Sequence, residues 1–140
     1  MKAHISPVAP TALVWNYTQA DPGWPVLQAA CAAAGLTLKL VTSAQAGANV
    51  GWLCGLPGSS EACLLLHLEL DAYPPALVLN GLAQAKLDQL LAALRTGGAA
   101  IPLKAVVTPT NREWPFCELL AELLREHTAL NAPQKNEQNP

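Results

Sequence analysis

Ala12-Leu13-Val14-Trp15-Asn16 returns as Ala76-Leu77-Val78-Leu79-Asn80, and Leu38-Lys39-Leu40-Val41-Thr42 returns as Leu103-Lys104-Ala105-Val106-Val107-Thr108. Each pair brackets an Ala/Leu-rich stretch of helical spacing, so the chain reads as two strand-helix-strand units. The strand segments are continuously apolar rather than alternating, as expected of strands covered on both faces. The predicted fold class is α/β: two βαβ repeats in a mainly parallel sheet with a C-terminal helix. A ferredoxin-like α+β arrangement is the alternative, and it would run the two repeats in opposite senses.

The chain has 140 residues, which predicts one α/β domain over 11–128 and a polar, disordered tail over 129–140. Charged residues make up 13% of it, against about 25% in a typical domain. Such a neutral surface favours self-association or a protein partner. A net charge of −2 with no Lys/Arg cluster argues against nucleic acid. The opening Met1-Lys2-Ala3-His4-Ile5-Ser6-Pro7 lacks a signal-peptide core, and the leucine runs break well short of about 20 residues. The expectation is a soluble cytoplasmic protein with no membrane contact. Cys31, Cys54, Cys63 and Cys117 show no CxxC spacing and are expected to be buried free thiols, not zinc ligands or disulfides. No metal or other cofactor is predicted.

Asp21-Pro22-Gly23 is a turn leading into a helix through Val26, Leu27, Ala30, Cys31 and Ala34, which Gly35 stops. Its alanine-rich face requires close packing. Val50 to Gly58 holds too many glycines for a long helix and predicts an irregular connector, with Trp52 in the core. Residues 62–70 fit either an edge strand or a linker. Gln84 to Arg95 carries Leu87, Leu90, Leu91 and Leu94 on one face, and a last helix places Phe116, Leu119, Leu120 and Leu123 by the same spacing.

With all strands parallel, Asn16, Thr42, Asn80 and Thr108 would share one carboxyl edge, the usual ligand side of an open α/β sheet. Candidate ligand-binding residues are then Asn16, Asn80, Thr108, Thr110, Asn111 and Arg112, the last four offering hydroxyls, an amide and a guanidinium ahead of a helix. Two structural readings compete. Thr110 and Glu113 have capping-box spacing, unless Pro115 moves the helix start beyond them. Asn16 and Asn80 suit turns. Lys39 and Lys104 hold the same place in each sequence repeat and are expected to reach solvent from their strands. No nucleophile elbow, phosphate loop, dinucleotide fingerprint or placed carboxylate pair occurs in the sequence.

Pro75-Ala76-Leu77-Val78-Leu79-Asn80-Gly81, Leu90-Leu91-Ala92-Ala93-Leu94-Arg95 and, above all, Pro102-Leu103-Lys104-Ala105-Val106-Val107-Thr108-Pro109-Thr110-Asn111-Arg112 resemble a bacterial family described as domain of unknown function 3783. The likeness continues through Trp114 and Glu118-Leu119-Leu120, and Gly51 to Gly58 resembles a glycine-rich stretch of full-length members. Pro115 departs from the pattern, which has Thr after the Trp. The resemblance implies no activity, substrate or cofactor.

The functional expectation is a non-catalytic cytoplasmic module that binds a protein partner, including a second copy, or a small anionic ligand at the strand carboxyl edge. A small-molecule enzyme using the Thr108 to Arg112 loop and an accessory subunit of a larger assembly are the alternatives.

Overall fold

Strand β1 (Thr11–Trp15) is buried along its whole length, as its unbroken apolar run requires. Helix α1 (Trp24–Ala33) follows, started by Pro25 in its first turn. Strand β2 (Thr37–Leu40) then runs parallel to β1, with Leu13 opposite Lys39. The second unit repeats the plan with β3 (Ala76–Asn80), α3 (Gln84–Gly97) and β4 (Leu103–Val106), where β4 lies parallel to β3. Gly98, at φ 78°, closes α3 in the left-handed conformation that glycine adopts at least cost. A short helix α2 (Val50–Leu53) comes after β2, and a long one, α4 (Phe116–Leu130), after β4. The computed structural model describes residues 10–58, 68–69 and 72–130.

The strand order is β2-β1-β3-β4, and β1 meets β3 antiparallel with Leu13 opposite Val78. The α/β class, the two βαβ units, the mainly parallel sheet and the C-terminal helix are as expected. The all-parallel sheet is not: antiparallel pairing puts the carboxyl ends of β1 and β2 on one edge and those of β3 and β4 on the other. Nor is the arrangement ferredoxin-like, since the two strands of each unit are direct neighbours. Physically, the centre of the sheet joins two strands that are equally apolar, and pairing them antiparallel lets each unit keep its own right-handed crossover on the same face.

Directly opposed residues share a face, so a local two-fold axis passes through the Leu13–Val78 pair. Leu13 therefore corresponds to Val78 and Asn16 to Gly81, one residue off the match suggested by sequence. Asn16 and Gly81 both have positive φ, 58° and 89°, which supports that correspondence. The slip also changes the lysines. Lys39 stands where the other unit has Ala105, and Lys104 stands where the first has Leu38. Their heads are not simply in solvent: Lys39 Nζ donates to Leu53 O at 2.8 Å and Lys104 Nζ to Ile101 O at 2.6 Å.

One face of the sheet buries Ala12, Val14, Leu77 and Leu79 against Leu27 and Cys31 of α1 and Leu90 and Leu94 of α3. The close approach expected of the alanine-rich helix is real. A Cβ added at Gly97 of α3 would lie 2.5 Å from Val26 Cγ1 of α1. The opposite face buries Leu13, Trp15, Ala76 and Val78 against Val50, Leu53, Phe116 and Leu120. Across that face the chain exits of β2 and β4 meet on the same two-fold: Asn49 bridges Pro115, Val50 N donates to Trp114 O, and Phe116 N donates to Ala48 O. Trp15, not Trp52, is the core tryptophan. Trp52 is 41% exposed, because the four-residue α2 turns Val50, Gly51 and Leu53 inward instead.

Residues 62–70, which fit either an edge strand or a linker, lie outside the described residues except for Leu68 and Glu69, which are not in a strand. Ala129 and Leu130 belong to α4, and residues 131–140 lie outside the described part. Cys31, Cys54 and Cys117 form no disulfide, the first two buried and Cys117 only part-buried, while Cys63 is outside the described residues. Burial pushes the thiols of Cys31 and Cys54 up to about 11 from a normal 9.0. Between pH 9 and 11 the unfolded chain releases protons that the folded chain retains, so stability should fall as pH rises through that window. Urea melts at pH 8 and pH 10.5 should show that loss, and Cys31→Ala with Cys54→Ala should flatten it.

Candidate functional site

The antiparallel junction separates the predicted site residues. Asn16 and Thr42 lie at one carboxyl edge, while Asn80, Thr108, Thr110, Asn111 and Arg112 lie at the other. Asn16 uses its left-handed backbone to leave β1, and its Nδ2 donates to Tyr73 O at 3.0 Å. It thereby fastens the approach to β3, the turn role that asparagine takes readily. Asn80 is the last residue of β3, opposite Thr11.

The Thr108 to Arg112 loop folds on itself. Thr108 N donates to Asn111 Oδ1 at 2.8 Å, Asn111 N donates to Thr108 Oγ1 at 3.0 Å, and Asn111 Nδ2 donates to Val106 O at 3.1 Å. Asn111 is buried, and these bonds satisfy a backbone that leaves the sheet at Val106. The reciprocal pair is therefore Thr108 with Asn111, not Thr110 with Glu113. Asn111–Glu113 forms a separate 3-10 turn, and α4 starts only at Phe116, after Pro115. The first unit carries the same device: Thr42 N donates to Gln45 Oε1 at 3.0 Å at the start of the Ser43–Gln45 turn. A strand followed by Thr-x-x-amide, a tight turn and a helix is thus common to both halves. The sequence showed it as Thr42-Ser43-Ala44-Gln45 beside Thr108-Pro109-Thr110-Asn111, a likeness hidden by the differing intermediate residues.

Arg112 reaches away from the strand ends. Its Nη2 donates to Pro57 O at 2.7 Å and its Nε lies 3.4 Å from Glu113 Oε2. It ties the glycine-rich connector of the first half to the loop of the second.

A cavity does sit at the other carboxyl edge. About 220 Å³ in volume, it is lined by Val14, Asn16, Tyr17, Leu40, Val41 and Thr42, with Thr18 and Ser43 at its rim. Its walls are apolar, the polar groups are neutral hydroxyls and an amide, and among the described residues no Asp, Glu, Lys, Arg or His contributes. Burial is the largest cause of the upward shift at the Tyr17 phenol, followed by the Asp21 charge. Leu40 is 45% exposed beside this cavity; Val106, its counterpart in the other unit, is 44% exposed. Sequence reasoning placed Asn16 and Thr42 at a strand edge but missed Leu40, whose exposure depends on β2 being an outer strand.

Among the described residues no group of His, Cys, Asp and Glu side chains could hold a metal ion, and no helix is long and apolar enough to cross a membrane.

The architecture defines a pseudo-two-fold α/β layer domain in which each half is a βαβ unit followed by a latched turn and a helix. Residues 75–130, spanning β3 to α4, match the family described as "Domain of unknown function (DUF3783)". No curated protein and no solved structure matches the chain.

Proposed function

We propose that the protein is a non-catalytic cytoplasmic interaction module that docks a second copy of itself through the groove at the carboxyl ends of β1 and β2. The observation that carries this reading is the chemistry of the groove: apolar walls, neutral polar groups and an exposed Leu40 at its border. Such a surface suits an apolar side chain of a protein, because its described lining offers no charge to hold an anion. A chain with only 13% charged residues favours its own kind as partner. The buried free thiols of Cys31 and Cys54 suit a reducing compartment.

The Thr108 to Arg112 loop supports an anionic ligand less well, since Asn111 and Thr108 are engaged with backbone and Arg112 holds Pro57. Light scattering over a concentration series tests the docking. Wild type is expected at twice the mass of one chain, and Leu40→Asp at the mass of a single chain with its melting temperature nearly unchanged. A monomeric wild type at high concentration, or a Leu40→Asp variant that remains dimeric, removes this reading.

A further inference from the structure

The two halves cease to be copies at the turn from helix to second strand. In the first, Ala34 to Leu36 joins α1 to β2; in the second, Gly98 to Pro102 joins α3 to β4. The longer connection sends Ala99 and Ile101 into the core and borders a cleft of about 490 Å³, within the range of about 300 to 1,000 Å³ common to small-molecule sites. Leu91, Leu94, Ala99, Ile101 and Pro102 supply apolar walls. At the same place in the fold where the first half puts Leu38 against its core, the second puts Lys104, and Arg95 lines the cleft as well.

We propose that this cleft binds an amphipathic carboxylate, with a short hydrocarbon chain on the apolar walls and the acid between Lys104 and Arg95. Among the described residues two cations and no acidic side chain line it. The carboxyl end of α3 opposes an anion with only about half a charge, so the positive groups prevail. Lys104 gives one hydrogen to Ile101 O, which aims the ammonium and leaves two donors for a ligand. Lys104 is exposed at its strand position, and the part of it that is buried lowers its proton affinity. Lys104 also lines a smaller cavity together with Glu126 and His127. The site is separate from the docking groove, so either can fail without the other.

Calorimetry and thermal shift with sodium octanoate, 1-octanol and sodium acetate test the proposal on the full chain. Octanoate should raise the melting temperature more than octanol, which lacks the charge, or acetate, which lacks the tail. Lys104→Leu, which installs the residue of the first half, should weaken octanoate about tenfold or more and leave octanol binding unchanged. Arg95→Gln should weaken it to a smaller degree. Amide shifts in wild type should be confined to Ala99, Ala100, Ile101 and Lys104, a readout that needs no variant to fold. Octanoate that binds no better than octanol, binds Lys104→Leu equally well, or shifts amides elsewhere would overturn the assignment.

Discussion

Phe116→Ala is expected to lower the unfolding free energy by about 3 to 5 kcal/mol, measured by urea or thermal denaturation. Domains of this size have only about 5 to 15 kcal/mol in total, so the variant should be close to unfolding at 37 °C. Phe116 is fully buried, and its ring lies 6.0 Å from that of Trp15 at 49°, a tilted contact between the largest side chains of this face. Its backbone N also donates to Ala48 O at 2.8 Å, next to the Asn49–Pro115 bridge. The side chain thus sits where both halves meet over the sheet. A cavity there cannot be closed by moving α4 alone, because that bridge holds the start of the helix. Phe116→Leu, which retains most of the volume, should cost far less. Equal losses in the two variants would show that packing at this junction is not what holds the halves together.

The strands and the two long helices were legible because their signal is local. Apolar runs at Ala12 and Ala76, and the leucine spacing through Leu87, Leu90 and Leu94, reflect burial that each element imposes on its own sequence. The direction of β3 relative to β1 was not legible, since a strand covered on both faces carries the same residues whichever way its neighbour runs. That one missing fact divided the candidate site between two edges. It also disguised the true repeat: the eye aligns Asn16 with Asn80, whereas the fold aligns Asn16 with Gly81, because only those two leave the sheet with positive φ. Lys39 was misjudged for the same reason, a one-residue slip in a strand being a change of face, whereas Lys104 is exposed as expected. Trp52 was misplaced because four residues of helix give no periodicity from which to read a buried side.

Asn111→Ala should remove about 2 to 3 kcal/mol, measured as a shift in the denaturation midpoint. The amide accepts from Thr108 N and donates to Val106 O, so its loss leaves a donor and an acceptor unsatisfied at a position already 8% exposed. Gln45→Ala, at the corresponding place in the first half, should cost less, because Thr42 is exposed and water can take over its N–H. Asn111→Asp separates the two functions of the amide. The carboxylate can still accept from Thr108 N but points its other oxygen at the Val106 carbonyl, so at neutral pH this variant should be at least as unstable as the alanine one. Protonation restores a donor toward Val106 O. Folding therefore favours the protonated carboxyl, and the stability of Asn111→Asp relative to wild type should recover as pH falls toward 5. Arg112→Ala, which releases the hydrogen bond to Pro57 O and the contact with Glu113, should cost about 1 kcal/mol. If Asn111→Ala melts like wild type, the side chain is not a latch on the strand exit, and its place in the fold is open again to a ligand.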